Sequence, residues 1–187
     1  MSILHYGIRS FLILAPFMAC SALRWHHELV FRSVKCWVHP DYGSCRLEMI
    51  NKTHIDCDVV AASMVYDPYM DLVIAQVDAS RRSRTVILSR KFDLCDKNTY
   101  GKTDYASLYV VSIINSFLNG TKFECPLSPR KFAIRSFTLT SKFVPWQLFY
   151  RRNSYLIVNG SFFEVKQNSK KKVGSYLLNT TIEKTPA

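Results

Sequence analysis

Short runs rich in Val, Ile, Phe, Tyr and Thr recur along most of the chain, separated by clusters of Gly, Pro, Asp, Asn and Ser. That rhythm predicts a mainly antiparallel β protein, because β-branched and aromatic side chains suit a pleated, half-buried surface and the separating residues suit turns. Phe31 to Val38 is the first expected strand, closed by the loop His39 to Gly43, and Cys45 to Ile50 is the second. Val59 to Tyr66 is the third and stops at Asp67-Pro68, while Met70 to Val77 and Thr85 to Leu94 flank the loop "DASRRSR". Within Thr85 to Leu94, Val86, Leu88 and Phe92 share one face and Ser89, Lys91 and Asp93 the other, the period of a strand buried on one side. Arg90 falls among the apolar set, which places it at a rim.

Asp104 to Leu118 changes period. Ala106, Val110, Ile113, Ile114 and Phe117 recur at helical spacing opposite Ser107, Ser112, Asn115 and Ser116, with Thr103 or Asp104 able to cap the start and Asn119-Gly120 to end it. Strand character resumes over Phe132 to Leu139, where Phe132 and Ile134 are out of phase with Phe137 and Leu139. A bulge near Arg135-Ser136 would restore a single apolar face. Ser154 to Lys166 reads as one long strand or as a hairpin turning at Asn159-Gly160; Val173 to Glu183 is the last strand, with Tyr176, Leu178 and Ile182 opposite Leu177, Asn179 and Thr181. About seven or eight strands and one helix predict an all-β fold, an immunoglobulin-like antiparallel β-sandwich, with a closed lipocalin-like barrel as the alternative.

The N-terminal pattern adds a compartment. Met1 to Arg9 carries one positive residue, and "SFLILAPFMACSA" follows with small residues at its end, the order of a cleavable secretory signal. Residues 1–22 are therefore expected to be a signal peptide, leaving 23–187 as a single secreted domain. The apolar block is shorter than the roughly 20 residues of a membrane span. Every later apolar segment is interrupted by Arg, Lys, Asp or Asn, so no transmembrane segment is expected in the mature chain. Of six cysteines, Cys20 leaves with the signal, and Cys36, Cys45, Cys57, Cys95 and Cys125 remain. An odd number in an oxidising compartment implies two disulfides and a spare thiol, or an intermolecular bridge. Four glycosylation triplets begin at Asn51, Asn119, Asn159 and Asn179, which behind a signal peptide predicts a glycoprotein with each site facing solvent.

The formal charge of +11 would suit nucleic acid, but an exported chain meets an anionic glycan or a membrane surface instead, so no nucleic-acid partner is expected. The basic clusters, Arg81 to Arg84, Pro129 to Lys131, Arg151-Arg152 and Lys170 to Lys172, fall in expected turns and form a site only where several converge in space. No Gly-x-Ser-x-Gly, His-Glu-x-x-His or Gly-rich phosphate loop is present, so the chain is read as no enzyme and as needing no cofactor. Cys36, His39, Cys45, His54 and Cys57 have spacings that resemble zinc half-sites, but exported cysteines pair with each other, and no metal is expected. Asp56 and Asp58 would raise the pKa of Cys57 and blunt its reactivity. The aromatic-rich C-terminal third offers a different chemistry: if the sheets splay apart, Phe132, Ile134, Phe137, Leu139, Phe143, Trp146 and Phe162 become candidates to line an apolar pocket.

"FRSVKC" ending at Cys36, "CRLEMINK" starting at Cys45, "FDLC" ending at Cys95, a single helix, "ECP" with Cys125-Pro126, and Pro145 before paired C-terminal strands together resemble a family. It is the insect-expanded family of small secreted proteins of unknown function adjacent to the chemosensory protein B group, itself similar to the ganglioside-activator and ML lipid-recognition superfamily. The likeness spans about Leu29 to Glu183 and rests on order and spacing. It departs at "SRRSRTVILSRK", where members carry an Asn-Gly-Tyr-x-Pro-Phe segment, and at Trp146-Gln147-Leu148, which replaces a Gly-x-Tyr. The resemblance implies an ML-type sandwich, bridges Cys95 to Cys125 and Cys36 to Cys45 with Cys57 additional, and binding of a lipid or small apolar ligand in a chemosensory or reproductive setting. The alternative is an extracellular protein- or glycan-binding module with a packed core and no pocket.

Overall fold

The computed structural model describes residues 25–96, 110, 124–139, 146–166 and 169–186. The expected signal peptide, the helix over Asp104–Leu118 apart from Val110, the site at Asn119 and Phe143 lie outside those residues.

The described chain is nearly all strand. In order it forms β1 (Trp25–Val38), β2 (Gly43–Met49), β3 (Ile55–Ala61), β4 (Tyr69–Asp78), β5 (Ser83–Asp93), β6 (Arg130–Phe137), β7 (Ser154–Lys166) and β8 (Ser169–Pro186), with 3-10 turns at Pro40–Tyr42 and Trp146–Phe149. A five-stranded sheet runs β1-β8-β7-β4-β5 and a three-stranded sheet runs β2-β3-β6. Every pairing is antiparallel, and the two sheets enclose one core as an all-β sandwich. Leu29, Phe31, Met70, Leu72, Leu156, Val158 and Leu178 face inward from the large sheet, and Ile55 from the small one. Burying such a side chain stabilises by about 1.5–3 kcal/mol, so alternation alone selects which face turns inward.

Three elements show how local chemistry sets these strands. β7 is continuous through Asn159-Gly160, not a hairpin, because Gly160 lies opposite Tyr176 and the Tyr176 ring covers the space a side chain would take. In β6 the expected bulge is present: Cys57 pairs with Ile134 and Ile55 with Phe137, and Ser136 takes a φ of 51°. Asp56 accepts the freed Ser136 N–H at 2.8 Å, and Arg135 donates to Asp58 at 2.6 Å, so a half-buried carboxylate pair clamps the irregularity. In β5 a register shift passes over Ile87, which flips the phase: Ile87 and Leu88 pack on the core while Val86 is 54% exposed, against the expectation that Val86 faces inward. Arg90 does sit on the edge strand, its guanidinium 5.3 Å from the Phe92 ring.

β3 differs most from the sequence reading. It starts at Ile55, four residues before the expected Val59, and ends at Ala61. Val65 then makes an isolated bridge to Leu127 and Ala62 donates to the Tyr42 carbonyl, so tertiary partners take up backbone groups that a longer strand would have used. Gly43 fixes the adjoining turn with a φ of 136°, where a Cβ would strike the Val60 carbonyl.

Candidate functional site

Between the sheets lies an apolar cavity of about 230 Å³. The small sheet contributes Leu47, Ile55, Cys57, Val59, Phe132, Ile134 and Phe137, and the large sheet Met70, Phe162, Tyr176 and Leu178. Val65, Pro68, Leu94, Val110 and Leu127 complete much of the wall. The wall is hydrocarbon because the strands turn apolar side chains toward it. Along β3, for example, Ile55, Cys57 and Val59 line the cavity while Asp56 and Asp58 take the outer side with Arg135.

Four of the sequence-nominated residues, Phe132, Ile134, Phe137 and Phe162, line this cavity. Leu139 and Trp146 do not: both are buried at 3% and 2% exposure, and the Trp146 indole N–H donates to the Leu139 carbonyl at 3.0 Å, tying the two into the core beside it. Leu47, Ile55, Met70 and Tyr176 were not nominated. The alternation Ile55, Cys57, Val59 against Asp56, Asp58 carries the missing signal for β3, but those acidic residues read as turn formers when strand limits are drawn from composition.

A polar cluster adjoins the cavity wall at Tyr42. Glu164, at 7% exposure, accepts a hydrogen bond from the Tyr42 hydroxyl and another from the Tyr66 backbone N–H at 2.9 Å. A buried carboxylate survives only when so paired. Burial first, and then the hydrogen bond to Glu164 and its charge, push the Tyr42 phenol up to about 12, so it stays a neutral donor. The cluster holds the His39–Gly43 and Ala62–Pro68 loops against β7, with Tyr42 itself on the cavity wall.

The cysteines frame the same space. Cys36 is bonded to Cys45, joining β1 to β2 across the two sheets, and Cys95 is bonded to Cys125. Cys57 is free, buried and on the cavity wall. Its thiol is pushed up to about 11, by burial first and then by Asp58, with Arg135 opposing. Burial therefore outranks Asp58 in keeping the thiol protonated, and Asp56 plays no part in the shift. Cys36 and Cys45 are consumed by their bond, and among the described residues no three His, Cys, Asp or Glu side chains are grouped to hold a metal.

Of the three described glycosylation triplets, Asn51 sits in an exposed turn, where its side-chain oxygen accepts the Thr53 and His54 N–H groups. Asn159 and Asn179 lie within β7 and β8 on the face opposite the core, half-buried, and Asn179 donates to the Ser33 hydroxyl at 2.9 Å. Among the described residues no helix is long and apolar enough to cross a membrane. No model of a known protein family matches the chain, and no curated protein matches it.

Proposed function

We propose that the protein is a non-enzymatic, secreted binding protein that holds a lipid chain or small apolar molecule between its two sheets, in the manner of an ML-type sandwich. The cavity carries this reading. An apolar cavity of about 150 Å³ is enough to bind benzene, and this one is larger at about 230 Å³. The two disulfides suit an oxidising compartment. The ordered cysteine landmarks support the family resemblance.

Binding would be driven by dehydration of the ligand. Each buried methylene contributes about 0.8 kcal/mol, and association opposes the sum by about 4 kcal/mol or more.

Native mass spectrometry of glycoprotein secreted from insect cells, followed by organic extraction, tests the proposal, together with titration by a fluorescent fatty acid. A co-purifying lipid, or saturable uptake displaced by unlabelled fatty acid, supports it. A clean apo mass with no uptake overturns it.

A further inference from the structure

The cavity makes no use of the arginine clusters, and the fold brings two of them together. Arg81, Arg82 and Arg84 belong to the β4–β5 connection, Ala79–Arg82, and the start of β5; Arg151 and Arg152 belong to the segment leading into β7. β4 pairs with both β5 and β7, and Asp78 lies opposite Ser83 on one side and Ser154 on the other. The two turns are bonded directly, Ala79 N–H donating to the Asn153 carbonyl at 3.0 Å. Five arginines separated by some 70 residues of chain thus share one end of the large sheet, all of them exposed.

Both turns are built rather than loose. Asp78 accepts from the Ser80 N–H at 2.9 Å, the Ser80 hydroxyl at 2.6 Å and the Arg81 N–H at 3.1 Å. Ser154 donates to the Arg151 carbonyl at 2.9 Å and receives the buried Gln76 amide at 3.0 Å. Arg82 and Asn153 take left-handed backbone conformations, with φ of 52° and 58°, that turn the chain at each tip. The one carboxylate in the two turns, Asp78, is occupied by these capping bonds. None of the five arginines makes an ion pair among the described residues, whereas Arg32, Arg46, Arg135, Lys170 and Lys171 all do. Glu28 and Glu183 lie on β1 and β8, on the other side of β7, and Glu183 is paired with Arg32.

We propose that these two turns form a binding surface for a sulfated polysaccharide. Five exposed arginines at one end of the sheet face a single carboxylate in these turns, Asp78, which acts on Arg81 alone among them, and the chemistry that satisfies the excess charge is a repeating anion. All five are Arg, whose planar fork meets a sulfate through two parallel hydrogen bonds, where a diffuse anionic surface is served equally by Lys. The disulfides suit a compartment rich in sulfated glycans and poor in nucleic acid. An anionic bilayer is the competing partner; the exposed apolar side chains beside the patch, Val86 at 54%, Leu148 at 71% and Tyr150 at 37% exposure, sit on a strand and a 3-10 turn and its exit and form no amphipathic helix of the kind that lies in an interface.

Heparin is the probe, with the full secreted chain retained on a heparin column and its affinity measured against salt. Release of counterions by five contacts predicts a slope of log K on log salt of about −3.5 to −4.5. The variant Arg81→Gln/Arg82→Asn/Arg84→Gln/Arg151→Gln/Arg152→Gln is expected to bind at least about tenfold more weakly, with Asn chosen at position 82 because it tolerates the left-handed backbone. Each half of that set alone, at an unchanged melting temperature, should lose part of the affinity. Lys170→Gln/Lys171→Gln/Lys172→Gln, at the opposite end of the sheet, should stay within about twofold, and desulfated heparin should not bind. Equal losses in the lysine and arginine variants, full binding by the half variants, or capture by phosphatidylserine vesicles without retention on heparin would each overturn the proposal.

Discussion

Gly160 is where a single methyl group tests the packing of the sandwich. A Cβ at this position would lie 2.1 Å from Cε1, 2.4 Å from Cζ and 2.7 Å from the hydroxyl oxygen of Tyr176. Carbon contacts settle near 3.5 Å or beyond, so the ring in Gly160→Ala must move by about 1.4 Å or more. The backbone itself accepts alanine, since Gly160 lies within a regular strand outside the left-handed region. The whole penalty is therefore steric, and overpacking of this kind costs about 1–3 kcal/mol. For a chain of this size each kcal/mol lowers the melting temperature by about 2–4 °C. Thermal unfolding followed by circular dichroism should then show a fall of about 2–12 °C. Tyr176→Leu removes the ring, so in a double-mutant cycle Gly160→Ala should be better tolerated in that background by about 1 kcal/mol or more. A Gly160→Ala protein melting within 1 °C of the parent, or a cycle that is additive within about 0.5 kcal/mol, would refute the claim that the ring and the glycine share one space.

Other expectations follow from the same geometry. Replacing Cys95 and Cys125 by Ser opens a loop of sequence separation 30 and should destabilise by about 3.5 kcal/mol on the chain-entropy account, against about 2.5 kcal/mol for the Cys36–Cys45 pair at separation 9; urea unfolding checks the order, and a reversed order refutes it. With its thiol pushed up to about 11, Cys57 should be alkylated about tenfold faster for each pH unit between 7 and 10 in the folded protein, and more slowly when a fatty acid is bound; a pH-independent rate by intact-mass assay would count against this. The Arg135 guanidinium holds the Asp58 carboxyl below its ordinary value, and Lys171 does the same for Asp41. A carboxylate depressed on folding stabilises above its unfolded pKa, and that contribution is lost as pH falls through the folded value. Urea midpoints should thus decline below about pH 4, and constant midpoints from pH 5 down to 3 would contradict it.

Much of this architecture is legible in the residues because strand alternation is a local property. β4 and the core of β8 match the runs of strand-forming residues, β7 takes the long-strand reading over the hairpin at Asn159-Gly160, and the phase slip in Phe132 to Leu139 announces the bulge that Asp56 and Arg135 secure. β5 was less readable, since the Ile87 register shift depends on its partner β4 and leaves Val86 outside. The limits of β3 were also hidden, because the bridge from Val65 to Leu127 joins segments some 60 residues apart. Lys170 to Lys172 read as a turn by charge, yet they form the start of β8, paired against Phe163, Glu164 and Val165. Charge is a poor guide to turns where a strand keeps one face in solvent.

By itself, the sequence determined an all-β chain and the identity of most strands, because each depends on neighbours two positions away. The tertiary structure decided which apolar side chains surround open space and which fill it: Phe132, Ile134, Phe137 and Phe162 line a cavity, while Leu139 and Trp146 close on each other. It also decided that two distant arginine-bearing turns are bonded to each other. Neither outcome is encoded in any short segment, since volume between sheets and convergence of loops are set by the separation and register of strands that pair across the whole chain.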